Sequence, residues 1–407
     1  MAGARFARAR EQQRFMSTKP NDTPPTSLAS NRTLWSLIGL GSLCNIAAIG
    51  SKAALPLFAI HLGASALTVG VIMAAFALIP AVIALRLGRI LDRMGPRKPM
   101  MGGALGMMAG LGIAFAFGSL PALFVCSMLV GTSGSFYFMS HTQAVGKLSS
   151  PQNRTTMLSM SSMGYSLSSF LGPVAAGMAI DGFGHAWAFL VLAVAPFIGF
   201  AVLYFRLLPI SDTTPRSMVS ARRGRAMDFL RTPALRRLYA AGVITQTAWD
   251  GMMLIVPIHG HGAGLSATAI GIALGAFSFG TLAVRSVLPA LSRRMRPWRL
   301  LSLAFGVSAV GFALLPFTGS EYTLIASTFM IGLGLGVSMP IVTSQLFEAA
   351  PEGRVGEALG LRTSLANVSQ STFPLALGGL GSLFGVLPIA LFMAGMMAGG
   401  TVMARRA

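Results

Sequence analysis

From Trp35 to Met403 the chain offers hardly an interval longer than a loop in which apolar residues do not dominate, and this restricts it to one kind of solvent. A helix needs roughly 20 apolar residues to cross about 30 Å of hydrocarbon. Such runs recur twelve times, near 34–60, 66–86, 99–118, 121–142, 156–180, 186–208, 237–258, 267–291, 298–317, 322–346, 357–381 and 384–403. Only 10% of the 407 residues are charged while 54% are hydrophobic, the balance of a polytopic membrane protein. The runs are continuous and do not alternate residue by residue, so they predict helices and not the strands of a barrel. The expected fold class is all-α.

A net charge of +20 would suit a nucleic-acid partner if it were gathered on one surface. Its placement argues against that. With spans alternating in direction, 29 of the 31 Lys and Arg fall before, between or after spans on one side, and the loops of the other side hold none. The remaining two, Lys52 and Arg285, lie inside spans. The positive-inside rule then expects both termini and the stretch Arg206 to Arg237 in the cytoplasm, with the chain in a bacterial-type inner membrane. The expected partners are the lipid bilayer and a small-molecule substrate, without nucleic acid, and the chain is expected to be a monomer. Cys44 and Cys126 fall inside spans with no CxxC spacing, which predicts packing. His61, His185, His259 and His261 mark the outer ends of spans without a carboxylate or thiol cluster, so no metal is expected.

The polar first 33 residues read as an N-terminal arm, with Met16 a plausible shorter start. Residues 34–208 form one set of six spans, 209–236 a basic linker, 237–403 a second set and 404–407 a tail. The two sets resemble each other at a constant offset of 201 residues: Pro56 pairs with Pro257, Gly63 with Gly264, Ser65 with Ser266, Gly70 with Gly271, Pro173 with Pro374 and Gly177 with Gly378. One gapless register of this length predicts a tandem duplication, with two parallel halves about an axis along the membrane normal.

The stretch GRILDRMGPRK between spans two and three, with Gly88, Asp92, Arg93, Gly95, Arg97 and Lys98, resembles the G-x-L-x-D-R-x-G-R-K loop of the major facilitator superfamily. The six-plus-six arrangement extends that resemblance over essentially the whole chain. GYSLSSFLGPVAAG in span five is similar to the Gly-Pro motif of the family's exporters at Gly164, Gly172, Pro173 and Gly177, with Ala176 where a second glycine is usual. Span four departs from the drug-exporter pattern, since Ser127 stands where an arginine four residues before Gly131 is usual. The resemblance implies a secondary transporter working by alternating access, a gate role for the charged loop, and a cavity lined by spans one, four, seven and ten.

Charge inside hydrocarbon costs roughly 2.5–3.5 kcal/mol per residue on insertion scales and needs a partner or a wet cavity. Asp250 in span seven and Lys52 in span one lie at depths differing by about one helical turn or less, which expects them to face each other. Ser42, Asn45 and Lys52 share one stripe of span one, and Gln246, Trp249, Asp250 and Met253 share one of span seven. The expected site has Asp250 as the protonation point, Lys52 as its counter-charge, and Asn45, Tyr137, Gln246, Trp249 and Met253 on the cavity wall. A static ion pair holding the halves together is the plainer reading of the same two residues. Arg285 is expected to snorkel to the interface. No nucleophile with an adjacent base and no phosphate loop occurs, so neither enzymatic turnover nor nucleotide-driven pumping is expected, and no cofactor beyond a proton gradient. The expected function is proton-coupled efflux of a small amphipathic or hydrophobic molecule. Uptake of a small organic anion and a non-transporting membrane sensor are the alternatives.

Overall fold

The structure, a computed structural model, describes residues 27–149, 154–208, 210, 232–350 and 355–406; the side chains of 27–31, 81–94, 154–156, 159, 347, 355–357, 359 and 360 lie outside the description. Met16 and most of the 209–236 linker also fall outside it. Among the described residues the regular structure is helical. Six helices form the first half: α1 (Ser27–His61), α2 (Ala66–Met94), α3 (Arg97–Phe117), α4 (Leu120–Leu148), α5 (Arg154–Phe183) and α6 (His185–Tyr204). Six form the second: α7 (Pro233–Gly262), α8 (Ala267–Arg294), α9 (Pro297–Leu314), α10 (Glu321–Ala349), α11 (Val355–Phe384) and α12 (Val386–Arg405).

Nine of the twelve are long and apolar enough, over their described residues, to cross a membrane. The exceptions are α2, whose described apolar part is Ala66–Pro80, and α7 and α11. Those last two are more polar for a physical reason. Asp250 and Gln246 of α7 and Gln370 of α11 are bonded to one another inside the protein, so part of each helix's surface never meets lipid. Arg362, which the loop count assigns to the connection before span eleven, lies within α11 and directs its guanidinium to the Met339 sulfur of α10 at 3.2 Å.

The duplication is visible in local chemistry. Ser65 caps α2 by accepting the Thr68 N–H, and its repeat equivalent Ser266 caps α8 by accepting the Ala269 N–H. Such caps satisfy one of the donors that a helix start leaves over. The preceding turns pass through Gly63 (φ 78°) and Gly264 (φ 73°), a left-handed conformation that a side chain would strain.

The helices packed between the halves are α2 on α11 and α5 on α8, with α1 meeting α7 at the centre. α4 packs on α1, α2, α3 and α5, and α10 on α7, α8, α9 and α11, each inside its own half. Both long contacts are closest near the face opposite the basic connections, where two symmetry-related sets of backbone meet. A methyl on Gly70 would overlap the Pro374 carbonyl oxygen, and one on Gly271 would overlap that of Pro173. A Cβ at Gly378 would lie 2.6 Å from the Ala66 carbonyl oxygen. Small residues of this kind let membrane helices approach backbone to backbone. A polar clasp adds to the α5–α8 contact: Asp181 at the end of α5 accepts the N–H groups of Ala267 (3.1 Å) and Thr268 (2.7 Å), placing a carboxylate on the positive end of the α8 dipole.

Overpacking a tight contact typically costs about 1–3 kcal/mol. Gly70→Leu and Gly271→Leu are therefore expected to lower the thermal unfolding midpoint in detergent. Gly102→Leu and Gly112→Leu, where nothing lies within 4 Å of the added carbon, should leave it unchanged. Equal effects at all four positions would contradict this closure.

Candidate functional site: a buried ion pair between the halves

Lys52 sits on α1 within the run AIGSKAALPLF, and its aliphatic stem and ammonium are 7% exposed. Asp250 on α7 is 2% exposed. Their terminal atoms meet across the two halves, with Lys52 Nζ 2.8 Å from Asp250 Oδ1. Two further donors complete the carboxylate. Gln246, one turn before Asp250 on the same face of α7, donates its amide to Oδ2 at 2.8 Å. Gln370 of α11 donates to Oδ1 at 3.1 Å. On the other side, Lys52 Nζ stands 5.8 Å from the centre of the Phe76 ring of α2, within reach of the ring's negative face.

Desolvation of two opposite charges is several kcal/mol per ion, and Coulomb attraction offsets it only when the remaining hydrogen-bonding positions are filled. Here the carboxylate has three donors on two oxygens. The pair therefore joins α1 of the first half to α7 of the second through a charge-assisted bond.

Other expected residues fall into two groups. Gln246 belongs to the cluster itself. Met253 is buried on α7, and Trp249 is half-buried with its ring edge-on to Phe277 of α8 at 4.6 Å, so both lie on the C-terminal half beside the pair. Asn45 turns to α5 and donates to the Tyr165 carbonyl at 3.3 Å. Tyr137 corrects the expectation: it is fully buried between α4 and its neighbours, where a side chain on Gly103 of α3 would collide with it and Gly199 of α6 faces its hydroxyl. The ring that the span-four assignment sends to the cavity is packing in the interior of the first half.

In the charged loop, the side chains of Gly88, Asp92 and Arg93 lie outside the described residues. Gly95 ends α2 with φ 69°. Arg97 is buried and donates from Nε (3.1 Å) and Nη2 (2.8 Å) to the Leu203 carbonyl, capping the C-terminus of α6 where positive charge is favoured. Lys98 is exposed. In the helix-five motif, Gly164 faces Ser42 and Gly172 faces Gly50 and Ile46, both on α1, while Gly177 faces Ala267 of α8. The motif marks the line along which α5 approaches both halves. Arg285 of α8 is half-buried and donates to the Gly336 carbonyl of α10 at 3.3 Å.

Two polar groups were not anticipated. Gln370 stands on α11, a helix outside the expected cavity set, within a polar stretch that also holds Asn367, Ser369, Ser371 and Thr372. His141 is fully buried on α4, with Nε2 2.9 Å from the Leu37 carbonyl and Nδ1 2.5 Å from the Tyr165 hydroxyl. A carbonyl accepts only, so Nε2–H donates to Leu37, while Nδ1 and the Tyr165 hydroxyl share a hydrogen bond that either can donate. An ionisable residue inside span four was legible as a site by the same rule that singled out Asp250.

Comparison with known proteins agrees with this architecture. Residues 37–374 match the model of the Major Facilitator Superfamily. The multidrug resistance protein MdtG of Dickeya zeae is 25% identical over 338 residues, covering 81% of each chain. The oxalate:formate antiporter of Oxalobacter formigenes is 24% identical over 278 residues, 66% of this chain and 65% of its own. Among solved structures, the peptide transporter POT in complex with sulfate superposes with a TM-score of 0.74 at 17% identity, covering 92% of this chain and 94% of that one, a likeness of fold. The chain belongs to the Major Facilitator Superfamily and is a multi-pass membrane transporter.

Proposed function

We propose that the protein exports a small amphipathic or hydrophobic molecule in exchange for protons, across a bacterial-type inner membrane with its basic face in the cytoplasm. The observation that carries this reading is the Lys52–Asp250 pair, a proton-accepting carboxylate buried between the halves with Gln246 and Gln370 on its two oxygens. The similarity to MdtG and the Gly-Pro motif of α5 support the direction.

The mechanism follows from charge and burial. With Asp250 ionised, the pair bridges α1 and α7 and offers its charge to a substrate entering from the basic face, after which the carrier opens outward. Proton entry from the outer side neutralises Asp250 and frees Lys52. A substrate held by the charged pair loses its site and leaves outward, and the proton is then delivered inward as the pair re-forms. A ligand and a proton that compete for one carboxylate shift the same two-state equilibrium in opposite directions. The GRILDRMGPRK loop serves as the gate at the basic face, with Asp92 and its arginines holding that face shut when the carrier opens outward.

Everted vesicles test the exchange directly. With the vesicle lumen held acidic and a panel of fluorescent amphipathic dyes outside, wild-type protein should accumulate substrate as protons leave, and Asp250→Asn should reduce gradient-driven accumulation about a hundredfold, the effect of some 3 kcal/mol. Gradient-driven accumulation by Asp250→Asn at the wild-type rate would remove Asp250 from the coupling. Stability should report the pair independently: breaking a buried pair costs about 3–5 kcal/mol, so Asp250→Ala destabilises strongly, and Asp250→Ala with Lys52→Met recovers most of the loss. Asp92→Asn should slow transport while ligand binding persists. A lost binding signal would contradict the gate role.

A further inference from the structure

The loop count treats the arginines of the basic face as a uniform orienting charge. Three of them converge. Arg296 and Arg299 at the start of α9 and Arg405 at the end of α12 line one cavity of about 540 Å³, together with Trp298 and Ser302. We propose that this cavity is a binding site for an anionic phospholipid, with the phosphodiester on the three guanidinium groups and an acyl chain along α9.

Charge complementarity is the first argument. Among the described residues no carboxylate lies within ion-pair distance of Arg296, Arg299 or Arg405, and all three are exposed. The cavity sits at the N-terminus of α9, whose dipole adds to the field on an anion. Guanidinium forks match phosphate oxygens in pairs, and basic cavities between membrane helices are suited to lipid headgroups.

Shape supplies the second argument and separates a lipid from a free anion. Ser302 Oγ donates to the Thr401 carbonyl at 3.2 Å, fastening α9 to α12 along the floor. Leu303 lines the cavity wall and is 54% exposed, and Val310 two turns further is 52% exposed, with Val307 between them on the same stripe. A cationic mouth therefore continues into an apolar track facing hydrocarbon. Trp298, half-buried between the arginines, is the amphipathic ring that membrane interfaces favour.

The test uses the full chain in phosphatidylcholine nanodiscs with or without tetraoleoyl cardiolipin or phosphatidylglycerol, read by retained lipid in native mass spectrometry and by thermal midpoint. Wild-type protein should retain and be stabilised by the anionic lipids. Each single substitution, Arg296→Gln, Arg299→Gln or Arg405→Gln, should weaken cardiolipin binding about fivefold, and the triple variant should lose it. The single variants suffice if the triple one aggregates. Arg32, Lys147 and Arg206, exposed on helices and turns of the first half, serve as controls, and their combined replacement by Gln should leave retention unchanged. Equal loss in that control would reduce the effect to diffuse surface charge and overturn the proposal. Stabilisation by inorganic phosphate to the same extent as by lipid would also overturn it, making the site one for a free anion.

Discussion

A carboxylate and an ammonium placed in the hydrocarbon-depth interior of a helical bundle must stay together, and the remainder of this architecture is arranged around that requirement. Lys52 comes from the first half and Asp250 from the second, so the bond between them is also a bond between the halves. Gln246 and Gln370 hold the carboxylate from α7 and α11, and Phe76 of α2 stands under the ammonium. Four helices thus meet at one buried ion pair. A plain structural ion pair would satisfy the same geometry, but it would be an expensive fastener in a fold whose glycine contacts already bring the halves to backbone distance.

Those glycine contacts explain how a small electrostatic event can be amplified. Gly70 against Pro374 and Gly271 against Pro173 are the same contact made twice by the duplication, on either side of the central pair. Interfaces packed this closely have few intermediate arrangements. Asp181 on the N-terminus of α8 adds a directional bond to the closed side. Opening there requires both contacts to part together, which favours rocking of whole halves over local yielding.

Much of this was legible in the sequence because the bilayer imposes strict rules on composition. Twelve apolar runs, alternating basic loops and the 201-residue register led to the helices and the duplication, while the helix caps at the repeat equivalents Ser65 and Ser266 came from the structure. Depth placed Lys52 and Asp250 where they could face each other, and the cavity that the resemblance implies put both their helices on it. What escaped was rotational. Tyr137 and a cavity-facing residue share the same spacing on α4, and only the packing of α3 and α6 decides that its ring points inward to the first half. Gln370 escaped because its stretch holds several polar side chains and nothing linear marks which of them turns to the pair, and Arg362 because it was counted with the connection although it lies two turns inside α11. His141 carried a readable signal, an ionisable group inside a span, whose partners on α1 and α5 no linear spacing reveals.

The central claim is that substrate and proton act on the same carboxylate, Asp250. Proton release on ligand binding, measured in weakly buffered detergent solution with a pH indicator, tests it most directly. At a pH low enough to protonate Asp250 before the ligand arrives, the account predicts release of up to about one proton per bound ligand in the wild type and none in Asp250→Asn that still binds ligand. Undiminished release from the Asp250→Asn variant would contradict it.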